Sequence, residues 1–102
     1  MPTFTFLILS NWTAKGHKKY RGAGGRRRTA IAEAEKRKIK VMRAEHTFGR
    51  YDIEWQVELD GANAAGCKKE LLTLWKWFHN QFGHVEFKPT AKPPSPRIIN
   101  IT

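Results

Sequence analysis

Residues 39–59 read IKVMRAEHTFGRYDIEWQVEL and are typical of a β-hairpin. Glycine at the first central position favours a type II′ turn formed by Phe48, Gly49, Arg50 and Tyr51. Phe48 then pairs with Tyr51, and Thr47 pairs with Asp52. Continuing away from the turn, this register predicts four more pairs: His46 with Ile53, Glu45 with Glu54, Ala44 with Trp55, and Arg43 with Gln56.

The predicted register divides the hairpin into two faces, because side chains alternate across a strand. One face is mainly apolar, and we expect it in the core: Met42, Ala44, His46, Phe48, Tyr51, Ile53, Trp55 and Val57. The other face is mainly polar and charged: Val41, Arg43, Glu45, Thr47, Asp52, Glu54, Gln56 and Glu58.

A long amphipathic helix is predicted after the hairpin, from about Asn63 to Gln81. Its apolar stripe follows helical spacing and consists of Cys67, Leu71, Leu74, Trp75, Phe78 and Phe82. Gly83 is placed to end the helix. Residues 84–88 then predict a short last strand, with Val85 and Phe87 on one face.

Two further elements are predicted before the hairpin. Residues 4–10 (FTFLILS) are rich in β-branched and aromatic residues and indicate a buried strand. Residues 14–25 contain four glycines and indicate a loop, and a weakly apolar helix is expected from about residues 26–29 to Arg37. The order β–α–β–β–α–β predicts an α+β, ferredoxin-like fold, with an antiparallel sheet and two helices on one face.

The length of 102 residues predicts a single domain. We assign residues 1–90 to this domain and residues 91–102 to a Pro-rich C-terminal tail, since residues 89–97 hold four prolines. Ile98–Thr102 has strand propensity and could add to a sheet edge, such as that of a partner.

The apolar run at residues 4–9 is too short for a membrane span and lacks signal-peptide features. With Cys67 as the only cysteine, we expect a cytoplasmic protein without disulfides.

Short motifs in these elements resemble the GYD-domain family. They are the Met-Pro-Thr start, the stretch NWTAKG at residues 11–16, and Gly49-Arg50-Tyr51-Asp52, which is the Gly-x-Tyr-Asp signature. The resemblance covers residues 1–90 and implies the dimeric α/β-barrel group, in which two ferredoxin-like sheets face each other, so a homodimer is expected. Members of that group hold small molecules or do chemistry between sheet and helices or between subunits. The GYD family itself carries no well-established activity. The basic stretch HKKYRGAGGRRR at residues 17–28 and the Pro-rich tail depart from its pattern.

The polar sheet face is the first candidate site. Glu45 opposite Glu54 is unfavourable unless something compensates, and burial of this face in a dimer would raise the pKa of one carboxyl. We therefore expect a non-catalytic protein that binds a small ligand at the sheet face or subunit interface, with a dimeric-barrel enzyme using a Glu base as an alternative. The candidate ligand-binding residues are Trp12, Arg43, Glu45, Thr47, Asp52 and Glu54. The simpler interpretation is an open polar face, with Asp52 capping the turn and Tyr51 packing on Phe48.

A basic segment is the second candidate, because the net charge of +10 is concentrated there. Such a segment attracts polyanions, and nucleic acid is the alternative partner. The candidate residues are Lys15, Lys18, Lys19, Arg21, Arg26, Arg27, Arg28, Lys36, Arg37, Lys38 and Lys40. A solvated basic surface is the simpler interpretation. The acidic sheet face argues against nucleic-acid binding through the sheet.

The histidines show no metal-ligand spacing, and we expect neither a metal nor a cofactor. They are His17, His46, His79 and His84. His46 is interpreted as a hydrogen-bonded core residue, and Cys67 as a packing residue of the second helix.

Overall fold

Six elements follow one another in the order β1–α1–β2–β3–α2–β4. The structure is a computed structural model that describes residues 2–13, 23–47, 50–83, 85–87 and 95–102. The elements are β1 (Thr3–Ser10), α1 (Ala23–Lys36), β2 (Lys40–His46), β3 (Ile53–Asp60), α2 (Ala64–Phe82) and β4 (Arg97–Asn100).

The strands form one sheet in the order β2-β3-β1-β4, and every neighbouring pair is antiparallel. Phe6, Ile8 and Val57 project from one face of this sheet into a single core, which also receives apolar residues of both helices. The α+β class, the antiparallel sheet and the two helices are therefore confirmed, and the arrangement is compatible with a ferredoxin-like fold.

The second helix provides most of the helical contribution to the core. Its buried residues are Cys67, Leu71, Leu74, Trp75 and Phe78, all on the predicted stripe. Asn63 caps the N-terminus by accepting a hydrogen bond of 2.7 Å from the Gly66 N–H. Gly83 ends the helix in the left-handed conformation (φ 63°). No helix in the described part of the chain is long and apolar enough to cross a membrane.

The hairpin has the predicted register near its turn but not at its far end. Pairs from Arg43–Gln56 to His46–Ile53 are as predicted, and a bulge then interrupts the ladder between Val41 and Arg43. Beyond the bulge, Val41 pairs with Val57 and packs against the core, whereas Met42 is 49% exposed. The prediction of Met42 in the core and Val41 on the polar face was therefore wrong, since one extra residue reverses the alternation. Phe48 and Gly49 of the turn lie outside the described residues.

The first helix begins at Ala23, earlier than the predicted start at residues 26–29. It includes Gly24 and Gly25, which the sequence had assigned to a loop. Ala30 and Ala34 are its buried contacts with the core. Glycine has low helix propensity, and tertiary packing of this kind routinely outweighs such a preference.

The last strand of the sheet is Arg97–Asn100, and the predicted strand at residues 84–88 was wrong in the part that is described. There Val85 makes only an isolated bridge with Trp12. Residues 97–100, which the sequence had assigned to the tail, pair instead with β1 of their own chain, and Ile98 joins the core. Proline lacks the N–H that a ladder needs, which is consistent with β4 beginning just after Pro96.

A buried polar network ties the segment before β4 to the end of β1. The hydroxyls of Ser10 and Ser95 are 2.7 Å apart. The Ser95 hydroxyl also accepts from the Asn11 N–H at 3.0 Å, and the Trp75 indole donates to Ser10 Oγ at 3.0 Å. The hydroxyls thus satisfy a backbone donor and a ring donor that are shielded from water.

We expect Ser95→Ala to lower the free energy of unfolding by about 1–3 kcal/mol, because the buried Asn11 N–H loses its acceptor. Urea denaturation measures the change. Thr73→Ala is the control, since it removes an exposed hydroxyl that donates only to Lys69 O in its own helix, and it should cost less than about 0.5 kcal/mol. Similar costs for the two variants would contradict a special role for the network.

Candidate functional site

A cleft lies on the helix side of the sheet, between the start of α1, the hairpin end of β2 and β3, and the second half of α2. Its empty volume is about 530 Å³, including space open to solvent. Its lining comprises five aromatic rings (Trp12, Trp55, Trp75, Phe78 and Phe82), three aliphatic residues (Ala30, Ile53 and Val85) and four polar residues (Arg26, Arg27, Glu45 and His46). The lining is therefore mainly apolar, and its polar residues come from α1 and β2.

Three rings form a buried aromatic cluster at the cleft. Trp55 and Trp75 meet edge to face with their centroids 5.4 Å apart, and Phe78 lies 5.7 Å from Trp55 and 5.2 Å from Trp75. Edge-to-face geometry is the favoured arrangement of such rings, and the hydrogen bond from Trp75 to Ser10 fixes the indole further. The cluster therefore offers a preformed apolar surface.

Trp12 forms a wall of the cleft and is held through its backbone. Its N–H donates to Asp52 Oδ2 at 3.1 Å, and its backbone bridges to Val85. Its ring meets the His46 imidazole edge to face at a centroid distance of 4.7 Å. Both Trp12 and His46 are therefore positioned at the cleft by the meeting of β1, β2 and β3.

The two sequence motifs after β1 and at the hairpin contact each other directly. The Asp52 N–H donates to Ser10 O at 3.0 Å and to Asn11 Oδ1 at 3.2 Å, and the Asp52 carboxylate accepts from Trp12. The Thr47 N–H donates to Asp52 O at 3.0 Å, and the Thr47 hydroxyl bonds Tyr51 O. Thr47 and Asp52 thus support the cleft from the hairpin end. The predicted packing of Tyr51 on Phe48 and capping of the turn by Asp52 involve positions outside the described residues.

The cationic side of the cleft comes from the start of α1. Arg26 is half-buried, and its partial burial lowers the pKa of the guanidinium, which still stays protonated at neutral pH. The Arg27 Nη1 donates to Ala44 O at 3.3 Å. This bond holds α1 against β2, so that both guanidiniums belong to the lining of the cleft.

His46 is exposed and lines the cleft, so the prediction that it lies in the core was wrong. Partial burial lowers the pKa of His46, and the positive charges of Arg27 and Arg26 lower it further, whereas Asp52 acts in the opposite direction. The neutral imidazole is therefore favoured at neutral pH. A negative charge bound beside the arginines would remove part of this bias.

The opposite face of the sheet carries the predicted pair of facing carboxylates. Glu45 is opposite Glu54, as predicted, and Arg43 bonds both of them. Its Nη2 donates to Glu54 at 2.9 Å and its Nη1 to Glu45 at 3.0 Å. The hydrogen bond to Glu54 makes the largest contribution to raising the pKa of Arg43, and the hydrogen bond to Glu45 raises it further. Arg43 thus compensates the repulsion between two like charges.

The six candidate ligand-binding residues are therefore not brought together in one place. Trp12 lines the cleft, whereas Arg43 bonds both Glu45 and Glu54 on the opposite side of the sheet. Glu45 adjoins the cleft in β2, but its carboxylate is held by Arg43. Arg26 and Arg27, which the sequence analysis had placed in the basic segment, lie at the cleft instead. The sequence did contain one indication of a site on the helix side of the sheet: His46 is a titratable residue on the hairpin face that is otherwise apolar.

Those candidate polyanion-binding residues that the structure describes lie near the two ends of α1. Arg26, Arg27 and Arg28 lie near its start. The other group follows about 15 Å further along the helix axis and comprises Lys36, Arg37, Lys38 and Lys40. Within this second group, Arg37 pairs with Glu33 at 3.1 Å. Lys15, Lys18, Lys19 and Arg21, like His17 and His84, lie outside the described residues.

Two other side chains that could take part in chemistry, Cys67 and His79, are engaged in contacts within the fold. Cys67 is buried in the core, and burial raises the pKa of its thiol, with smaller contributions from Asp60 and Glu70. The Nδ1 of His79 is 2.7 Å from Val85 O, next to the cleft. In the described ranges, no three His, Cys, Asp or Glu side chains form a group that could hold a metal ion.

Comparison with known proteins found no matching family model, no matching curated protein and no matching solved structure. The resemblance to the GYD-domain family therefore remains a prediction from the sequence motifs.

We expect Arg43→Met to destabilise the protein, because Glu45 and Glu54 are then left opposed across the strands. Adding Glu54→Gln should restore part of the loss, and raising the salt concentration should reduce it, since exposed charges are screened. Urea unfolding midpoints measure these effects. Arg37→Met is the control: it breaks an ion pair with Glu33 without leaving two carboxylates face to face. An equal loss in both arginine variants, or no rescue, would contradict this account.

Proposed function

We propose that this protein is a non-catalytic small-molecule-binding protein whose ligand occupies the cleft between helices and sheet. The observation that carries the proposal is the composition of the lining, in which five aromatic rings adjoin two guanidiniums and an imidazole. Pockets for small organic ligands have this character: mostly apolar walls with a few polar groups that orient the ligand.

Binding is favoured over turnover by the surroundings of the carboxylates. Glu45 and Glu54 were the candidate bases of the enzyme alternative, and Arg43 hydrogen-bonds both of them. A general base must reach the proton that it removes, and the hydrogen bonds to Arg43 occupy an oxygen of each carboxylate. The enzyme alternative remains a prediction without a supporting contact.

The helix-side cleft is favoured over the open sheet face as the location of the ligand. The open face has half-buried apolar residues, Leu7, Leu9 and Ile99, together with charged ones. The helix-side cleft is concave and lined by rings that are already packed in place. A preformed site loses less conformational entropy when a ligand binds.

We further propose that the open face joins two copies of the chain, as the predicted homodimer requires. Apolar side chains on this face are the exposed Met42 of β2, the pair Leu7–Ile99 and the exposed Ile101, with polar residues of β3 between Met42 and the others. Arg97 on β4 and Glu54 on β3 add charges of both signs to the face. An isologous interface is self-complementary, and a face that carries both charge signs around apolar residues can satisfy itself in a second copy.

Light scattering should give twice the mass of the 11.8 kDa chain. Met42→Glu combined with Ile101→Glu should convert the dimer into a monomer, because each copy would bury two unpaired carboxylates. Ala32→Glu combined with Lys36→Glu, on the exposed side of α1, is the control and should leave the mass unchanged. A monomeric wild-type protein would contradict the proposed dimer.

Nucleic acid remains the alternative partner. The described candidates of the basic segment are divided between the two ends of α1 rather than gathered in one patch, and Arg26 and Arg27 belong to the cleft. The remaining candidates, Lys15 to Arg21, lie outside the described residues. No contact in the described part of the chain favours this function over ligand binding.

A cleft-filling substitution tests the ligand-binding proposal. Ala30 is 7% exposed and lines the cleft, so Ala30→Leu should occupy part of it. We expect the affinity for the fluorescent probe anilinonaphthalene sulfonate to fall by about tenfold or more. Ala32→Leu makes the same change on the exposed side of the same helix and should preserve binding, since leucine and alanine both favour helix.

Near-UV circular dichroism reports whether each variant retains native packing. Phe82→Ala provides a second test, because it removes a half-buried wall of the cleft without adding volume to the core. Binding that is equal in the wild type and in properly folded Ala30→Leu and Phe82→Ala variants would contradict the proposed site.

A further inference from the structure

We propose that the ligand of the cleft is a flat aromatic molecule with an anionic group such as a carboxylate, and that its binding is accompanied by proton uptake at His46. This inference rests on the proposed function, since it assigns a ligand class to the same cleft. It follows from the shape of the apolar surface, the charge of the lining and the groups that surround His46.

The apolar part of the cleft matches an aromatic ring system. Trp55, Trp75 and Phe78 meet at interplanar angles between 62° and 89°, so they present both ring edges and ring faces. An aromatic ligand can meet such a surface edge to face or offset-stacked, which gains energy beyond simple area burial. A flexible alkyl chain gains no such contribution and loses more conformational freedom on binding.

The polar part of the cleft is positively charged. The guanidiniums of Arg26 and Arg27 and the imidazole of His46 line it, whereas the Glu45 carboxylate is bonded by Arg43 on the opposite face of the sheet. With His46 neutral, the two guanidiniums give this part of the cleft its positive charge. A carboxylate carries the opposite charge and fits the fork of a guanidinium.

His46 responds to the charge at this place. Arg26 and Arg27 face it from α1, Glu45 precedes it in β2, Asp52 lies before β3, and the Trp12 ring contacts it. The two guanidiniums and partial burial lower the pKa of His46 in the unliganded protein. A carboxylate bound to the guanidiniums would offset their positive charge and accept a hydrogen bond from a protonated imidazole, so the pKa of His46 rises on binding.

The coupling between ligand binding and protonation of His46 sets the direction in which affinity changes with pH. Because the complex binds more protons than the free protein, affinity increases as the pH falls towards the ordinary histidine value of 6.5. The increase ends once His46 is protonated in the free protein too, which happens below 6.5 because its pKa is lowered. Well above both pKa values, His46 is neutral in both states and contributes no pH dependence.

Isothermal titration calorimetry with naphthoate tests the inference. Titrations at about pH 6.5 in two buffers with different ionisation enthalpies give the number of protons taken up. We expect net proton uptake that His46→Gln abolishes. Naphthamide, a neutral analogue of the same shape, should bind about tenfold or more weakly because it lacks the charge-assisted hydrogen bonds.

Arginine variants provide a matched pair. Arg27→Met should remove most of the preference for naphthoate over naphthamide, whereas Arg28→Met should preserve it, since Arg28 is exposed and does not line the cleft. Circular dichroism of each variant verifies the native fold.

The outcomes separate this inference from the proposed function. Equal binding of naphthoate and naphthamide would overturn the assigned ligand class while leaving the cleft as a binding site. Proton uptake that persists in His46→Gln would overturn the role of His46. If neither naphthalene probe nor anilinonaphthalene sulfonate binds the wild-type protein, the proposed function itself fails.

Discussion

The hydrogen bonds at the end of β1 are the constraint on which the cleft depends. Three successive residues, Ser10, Asn11 and Trp12, bond to parts of the chain that are distant in sequence. Ser10 bonds the Trp75 indole and the Ser95 hydroxyl. Asn11 and Trp12 both form hydrogen bonds with Asp52 at the hairpin. Buried polar groups require such partners, so the position of Trp75 in the aromatic cluster and that of Trp12 in the wall are set together.

The elements with a strong sequence period were predictable, and the irregular ones were not. The second helix and four pairs of the hairpin follow from apolar spacing, because each buries one face against the core. The pattern could not reveal the bulge, since Met42 and Val41 are both apolar and either can face inwards. Nor could it locate β4, because the prolines that precede it indicate a tail, while its pairing with β1 is a long-range contact. The family resemblance and the dimer remain predictions.

The site was predictable only in part, because it is made by contacts between elements rather than by a motif within one. Trp12 was among the candidates and lines the cleft, and Glu45 adjoins the cleft in β2 while its carboxylate bonds Arg43 on the other face of the sheet. Arg26 and Arg27 were visible only as members of a basic segment, and the charge count alone cannot place a guanidinium beside an aromatic ring. The bond from Arg27 to the backbone of β2 provides that placement. The facing carboxylates were predicted in register, but not the arginine that bonds both.

The central position of β1 has a consequence for how the protein folds during synthesis. Its two neighbours in the sheet are β3 and β4, both of which follow it by long stretches of chain. Its apolar residues therefore leave the ribosome well before either neighbour, with both of their hydrogen-bonding edges uncovered. Topologies dominated by distant pairings fold slowly, and unpaired strand edges favour aggregation. Molecular chaperones that shield extended apolar segments would be expected to engage this strand until the hairpin has been made.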